Sequence, residues 1–397
     1  MKPPAMEVAD VIRTFGGQYM KAHAGRMPAM HRKAMANIMA CRTPAMGGTT
    51  FWCSSCHHYQ YSYHSCGNRN CNKCGKQKTR QWLEQTGTLL LPVAHFMVTV
   101  TLPGELRQMA RSHQALFYGL LMSCSAASIQ TLGWDSRFVG GQMAMMGVLH
   151  TWGRDLSYHP HLHMIVAGGG LWADEELWLT GRSDFLMPVK ALSKIVAAKF
   201  RDGLKKQAPQ LYGLIGPSVW SGPWVVHCQA VGKGQSALKY LATYIYRPVI
   251  SNGRLLSLEN GTVSFRYQDS QTKKCKICLL GAIEFIRRYL QHVLPSGFVK
   301  VRYYGLYGHR HRQRLNALRE TLDQQAGDEP ATSIRQVDTS PSESPPATPP
   351  TCRHCGRPML VVEIIPRYRT MSGWPNAPPD PGRSARHHQS KQTANSL

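Results

Sequence analysis

Between residues 88 and 310 the hydrophobic pattern changes period several times, and each change marks an element. Residues 94–102 (Ala-His-Phe-Met-Val-Thr-Val-Thr-Leu) read as a strand ended by Pro103-Gly104. Residues 105–128 read as helical. Residues 142–152 and 160–167 read as two strands joined by a polar turn around Arg154-Asp155. Residues 189–206 carry Ile195, Val196 and Phe200 at helical spacing, and a further helix starts near Ser236 and stops before Pro248. Strands and helices in no strict alternation predict an α+β fold with an antiparallel sheet. No internal repeat is evident. Residues 326–350 are rich in Pro, Ser and Thr and read as a disordered linker, as does the polar, basic tail after Arg383. The expected organisation is an N-terminal module (1–87), a larger domain (88–315) and a largely disordered basic tail carrying one Cys-x-x-Cys pair (316–397).

Charge narrows the partner. Lys and Arg number 47 against 22 Asp and Glu, a formal balance of +25 over 397 residues. That excess favours a polyanion over a small acidic ligand. No apolar run approaches the ~20 residues of a membrane span; the longest, residues 89–100, is broken by Pro92 and His95. The N-terminus has no apolar signal core. A nucleic acid is therefore the expected partner, in the cytoplasm, with no membrane contact.

Five of the twelve cysteines fall between Cys53 and Cys74. In a reducing compartment metal binding is the better reading than disulfides. Cys53-x2-Cys56 and Cys71-x2-Cys74 each supply two thiolates from one tight turn, and together they complete a tetrahedral, structural Zn2+ site. Cys66 is a possible substitute. Arg69 and Lys73 lie within this stretch and suit a zinc-stabilised DNA-binding face. Cys352-x2-Cys355 would need ligands such as His387 or His388, or a partner chain, to hold a second zinc. Cys275 and Cys278 read as incidental.

On a strand, His161 and His163 point to one face with Leu162 on the other. Such pairs also occur as ordinary core or exposed histidines. If the two strands close as a hairpin, His150 stands opposite His161, and three imidazoles converge with positions open for substrate. His159 shares the alternation, but Pro160 ranks it lower. Three imidazoles by preference hold Zn, Mn or Co; a bound phosphate adds oxygens and brings Mg2+ or Mn2+ within reach. Tyr240 and Tyr244, spaced i,i+4, share a helix face. They could be packing residues, yet a phenol can also conserve phosphodiester energy as a covalent nucleophile. Lys239 and Arg247 flank them. The run from Arg302 through Tyr304 to Arg310 and Arg312 interleaves bases and aromatics, which suits single-stranded DNA; a solvated basic face with core tyrosines is the alternative.

Taken in order, these motifs resemble the HUH-type rolling-circle, two-tyrosine transposases typified by insertion sequence 91. The likeness runs from about Cys53 to Arg314 and is carried by residues 65–74, 148–153, His159-Pro160-His161-Leu162-His163, Tyr240-Leu-Ala-Thr-Tyr244 and residues 302–306. It implies an HUH endonuclease-like antiparallel sheet flanked by helices. It further implies Mg2+ or Mn2+ on His161 and His163, and Tyr240 and Tyr244 attacking single-stranded DNA at insertion-sequence ends and target. The product would be a 5′-phosphotyrosine and a free 3′-hydroxyl, with host replication factors as further partners. A plasmid relaxase or replication initiator shares the chemistry, but the cysteine module and the motif series favour the transposase. A non-enzymatic zinc-module regulator would make the histidines structural.

Overall fold

The computed structural model describes residues 6–172, 177–245, 249–269, 272–325 and 350–367; for residues 76–78, 237, 240, 243 and 244 it describes the backbone alone. The expected linker (326–349), the basic tail, His387, His388, Tyr246 and Arg247 lie outside the described residues. In chain order the elements are α1 (Val8–Ala22), α2 (Ala29–Ala40), β1 (Gly48–Trp52), β2 (Tyr59–Tyr63), α3 (Gly75–Gly87), β3 (Ala94–Thr101), α4 (Arg107–Ser112), α5 (Gln114–Gly133), β4 (Gln142–Trp152), β5 (Tyr158–Trp172), β6 (Leu177–Thr180) and α6 (Val189–Gln207). They continue with α7 (Pro209–Tyr212), α8 (Ser218–Ser221), β7 (Val226–Lys233), α9 (Gly234–Ile245), β8 (Leu255–Glu259), β9 (Thr262–Gln268), β10 (Cys275–Gly281), α10 (Ala282–Leu290), β11 (Val301–Gly305), α11 (Arg312–Gln325) and β12 (Leu360–Ile365). The chain forms two units, residues 1–31 with 75–334, and residues 32–74 with 335–397. The small unit thus combines a segment inserted within the larger one with the C-terminal part of the chain, where a module of residues 1–87 alone was expected.

In the larger unit the antiparallel sheet runs β11-β4-β5-β3-β7, with β6 added beside β5. Successive residues of a strand face opposite sides, so each strand feeds two layers. Phe96, Val98, Val100, Met143, Met145, Leu149, Leu162, Met164 and Val166 pack with Phe117, Leu121, Val196 and Phe200 of α5 and α6. Met97, Ala144, Met146, Val148, Ile165 and Ala167 pack on the other side with Trp82 of α3, Leu238, Leu241, Ala242 and Ile245 of α9, and Leu315, Leu318 and Leu322 of α11. The result is the α+β class expected, an antiparallel sheet covered on both faces.

Two local departures have physical causes. The helix read over 105–128 breaks at His113 (φ −125°) into α4 and α5. Strand β5 runs past residue 167 because Gly169 and Gly170 remain in the ladder with β4 and β6. A Cβ on Gly169 would sit 2.6 Å from the Leu179 carbonyl oxygen and from the Trp178 ring, so these strands close only over glycine. Helix α5 is long and apolar enough to cross a membrane by length and composition. Its Phe117, Leu120, Leu121 and Ile129 are instead core residues against the sheet.

In the smaller unit β12, β1 and β2 form an antiparallel sheet. The C-terminal segment expected to be disordered therefore contributes a strand, β12, where residues 360–365 pair with β1.

Candidate active site

The register of the β4–β5 hairpin sets His150 opposite His161, and Val148 opposite His163. His150, His161 and His163 share the parity of Val148, Ile165 and Ala167, so all three open on the face that α9 covers. Their ring centroids are 5.2 Å (His150–His161), 4.8 Å (His150–His163) and 4.9 Å (His161–His163) apart. One ligand nitrogen from each lies within 4.8 Å of the others. His159 also neighbours His161, with centroids 5.2 Å apart, but does not join the group of three.

Hydrogen bonds orient the rings. Nδ1–H of His161 donates to the His159 carbonyl at 2.7 Å, which puts the lone pair on Nε2. His163 pairs Nδ1 with the Thr99 hydroxyl at 3.0 Å, and with that N–H donated its lone pair is likewise at Nε2. Backbone and hydroxyl partners of this kind fix ligating imidazoles in metal sites. Burial, followed by the charge His163 would carry, lowers His161 to about 3; burial lowers His163 to about 4. Both rings are therefore neutral at pH 7, the form a cation binds. A donor set of three imidazoles fits a divalent transition ion with coordination positions left for oxygen ligands.

The tyrosine helix reaches the same place by its backbone. Strand β7 runs without a loop into α9, its turn held by the Ser236 hydroxyl donating to the carbonyls of Val231 (2.8 Å) and Lys233 (2.9 Å). Gly234 permits the entry, because a Cβ there would lie 2.9 Å from Leu90 and 3.1 Å from His95. Leu238, Leu241 and Ile245 then bury against the sheet, as their spacing predicts. At the far end Lys300 Nζ donates to the Ile245 carbonyl at 3.0 Å. The same ammonium lies 4.8 Å from the centroid of Trp152, whose ring stacks on His150 at 5.2 Å. A short chain of contacts thus joins the residue after Tyr244 to the histidines. The side chains of Tyr240 and Tyr244 lie outside the described residues. Lys300 was not singled out by sequence reading; its signal, a lysine two residues before Arg302, is indistinguishable there from surface charge.

The other candidates scatter. Lys239 is exposed on α9 and Arg310 is exposed before α11. Arg302 lies over the Phe298 ring at 5.2 Å. Tyr304 faces the opposite side of the sheet from the histidines and packs against the α5–α6 layer, where burial raises its phenol. The alternating run is thereby split across two faces, which leaves Tyr304 as a packing residue. Arg312 is half-buried, with Nη1 lacking a hydrogen-bond partner. Arg69 is exposed and Lys73 half-buried in the loop between Cys66 and Cys74.

The cysteines also regroup. Cys53 and Cys56 do not meet Cys71 and Cys74 in one site. Cys71 and Cys74 gather with Cys41 and Cys66, while Cys53 and Cys56 gather with Cys352 and Cys355. Cys66, held as a substitute, is a full member; Cys41, which has no nearby companion in sequence, was missed. In this first quartet Sγ of Cys74 lies 3.5 Å from that of Cys41 and 3.7 Å from that of Cys66, close to the ~3.8 Å edge of a tetrahedron with 2.3 Å Zn–S bonds. Four thiols, no carboxylate and no open position fit a structural zinc. Cys275 and Cys278 join no such group among the described residues.

Residues 144–314 match a family model described as "Putative transposase", and residues 11–102 match one described as "Transposase zinc-binding domain". A Sinorhizobium fredii protein named "Putative transposase y4qJ" is 35% identical over 336 residues, covering 80% of this chain and 84% of its own length. The chain belongs to the insertion sequence 91 family of transposases. A further family relative, "Transposase for insertion sequence element IS801" of Pseudomonas savastanoi pv. phaseolicola, is 28% identical over 300 residues, or 70% of each chain. No solved structure matches the chain. The transposase model spans the three histidines, both tyrosines and Lys300, and the zinc-binding model spans the first cysteine quartet. A zinc-stabilised, DNA-acting enzyme follows from the two together.

Proposed function

We propose that this transposase nicks and rejoins single-stranded DNA at insertion-sequence ends by a 5′-phosphotyrosine route of the rolling-circle type, in the cytoplasm at the nucleoid. The observation that carries the reading is the convergence of three imidazoles on the sheet face to which Lys300 ties the C-terminal end of the tyrosine helix. Mg2+ or Mn2+ held by His150, His161 and His163 would draw charge from the scissile phosphate.

The protein's own groups supply the rest. Oη of Tyr240 or Tyr244 attacks phosphorus, forming the P–O(Tyr) bond and breaking the P–O3′ bond. The phenolic proton leaves as the bond forms, and the departing O3′ takes up a proton to become the free hydroxyl. Rejoining reverses each transfer, so no nucleotide cofactor is consumed. The second tyrosine allows a second cleavage while the first end is held. The Lys300 ammonium adds positive charge beside the histidines, where negative charge accumulates as the phosphate is attacked. Basic side chains such as Lys239, Arg310 and Arg69 hold the DNA backbone.

The test incubates the protein with single-stranded oligonucleotides from an element end and Mn2+, and looks for a denaturation-resistant protein–DNA adduct. Wild type and Tyr246→Phe should form it, and Tyr240→Phe/Tyr244→Phe should not. An adduct that survives loss of both tyrosines removes the nucleophile assignment. Loss of the adduct in His161→Ala, with DNA binding retained, is the expected sign of the metal role.

A further inference from the structure

Only half of the second cysteine quartet lies within a family match: Cys53 and Cys56 fall in the zinc-binding segment, whereas Cys352 and Cys355 follow both matched segments. Its two halves are the same turn built twice. In the first, the Cys53 N–H donates to the His58 carbonyl (3.0 Å) and the His57 N–H to the Cys53 carbonyl (2.9 Å), with His57 at φ +56°. In the second, the Cys352 N–H donates to the Arg357 carbonyl (2.7 Å) and the Gly356 N–H to the Cys352 carbonyl (2.8 Å), with Gly356 at φ +74°. Each turn sends its two thiols the same way and is followed at once by a left-handed residue that reverses the chain. A bridge between Thr351 and Pro358 closes the second turn as β1 and β2 close the first.

Strand β12 then lies along β1 and sets the turns face to face. Sγ of Cys53 is 3.4 Å from that of Cys355, and Sγ of Cys56 is 3.6 Å from that of Cys352. These are far beyond the ~2.05 Å of a disulfide and near the ~3.8 Å edge of a zinc tetrathiolate. The apolar support is slight: Cys53, Cys352 and Met359 are the buried residues, with Phe51 and Cys56 packed on them. Such a cluster is too small to hold two distant chain segments together without a cross-link.

We propose that Cys53, Cys56, Cys352 and Cys355 bind a second structural zinc ion that fastens the C-terminal segment of the chain to its N-terminal hairpin. Four thiols lose their protons to solvent as the ion binds, and no redox step is involved. The zinc-binding module is then complete only when chain from both ends is present, and it holds two ions.

The experiment measures zinc per chain in the full-length protein by elemental mass spectrometry. Cys352→Ser/Cys355→Ser should carry one ion fewer than wild type, and so should Cys71→Ser/Cys74→Ser, whatever the histidine site holds. A Cys352→Ser/Cys355→Ser protein that keeps the wild-type count overturns the proposal. A second measurement needs no variant. Cys355 is exposed, as is Cys275. In zinc-loaded wild type, iodoacetamide should label Cys275 quickly while Cys352 and Cys355 stay protected until a chelator is added. Labelling of Cys355 at the rate of Cys275 in the loaded protein also overturns it. Neither readout depends on DNA cleavage, so this proposal and the phosphotyrosine reading stand or fall separately.

Discussion

Lys300 joins the three-histidine face to α9 through one ammonium group. It caps the last carbonyl of α9 and lies over Trp152, and its charge helps to keep His161 neutral after burial and His163. A helix C-terminus carries partial negative charge and unpaired carbonyls, so a lysine there both caps and neutralises. A hydrogen bond to a charged group contributes roughly 1.5–3 kcal/mol. If that interaction is what sets the helix end, Lys300→Met should slow adduct formation roughly 10–100-fold in single-turnover measurements. Oligonucleotide affinity should change much less. Adduct formation at the wild-type rate would show that Lys300 has no part in placing the helix. Residue identities at this site were partly legible beforehand. His161 and His163 are marked by their alternation, and His150 by its place across a turn. Lys300 was not, because what distinguishes it is its reach to a helix end 55 residues earlier.

At the scale of elements, the seat of α9 depends on a buried histidine that is not one of the clustered three. His95 on β3 donates Nδ1–H to the Val93 carbonyl (2.9 Å) and accepts from the Tyr307 hydroxyl at Nε2 (2.8 Å), directly beneath Gly234. Burial lowers its pKa to about 4, below the ~6.5 of an unfolded chain. The unfolded state therefore binds the proton first. This contribution is fully present above pH 6.5 and is lost as pH falls through about 4. His95→Gln can keep an acceptor toward Tyr307 while removing the titration. Urea midpoints between pH 7 and 5, read from tryptophan fluorescence, should fall less steeply for the variant. The difference in slope should approach about 1.4 kcal/mol per pH unit. Parallel slopes would mean that His95 titrates in the folded protein as it does in the unfolded chain. Strand and helix identities were readable from periodicity, but which face each strand turns to which helix was not. Tyr303 and Tyr304 are adjacent and point to opposite layers, and only the register against β4 decides which is which. The cysteines show the same limit. Spacing reveals pairs, but the partner of Cys53 and Cys56 arrives on a strand about 300 residues later, beyond any local signal.

For the whole molecule the excess of 25 positive charges sets how DNA is found and held before any bond is cut. Much of that charge is exposed, as at Arg69, Lys239 and Arg310, and long basic side chains at the surface reach phosphates without reading bases. Affinity should then fall steeply with salt, because each phosphate neutralised on a single strand releases about 0.7 of a counterion. If Arg310 and Arg312 each hold one phosphate, Arg310→Ala/Arg312→Ala should make the plot of log affinity against log salt shallower by about 1.4. The loss should be similar for element-end and unrelated oligonucleotides, since backbone contacts carry no sequence information. Fluorescence anisotropy across a salt series measures both quantities. An unchanged slope would assign these arginines to folding the start of α11, where Arg312 is already half-buried. A loss confined to element-end DNA would instead make them readers of sequence. These two arginines near the end of the transposase match would then belong to end recognition, with general attraction supplied elsewhere on the basic surface.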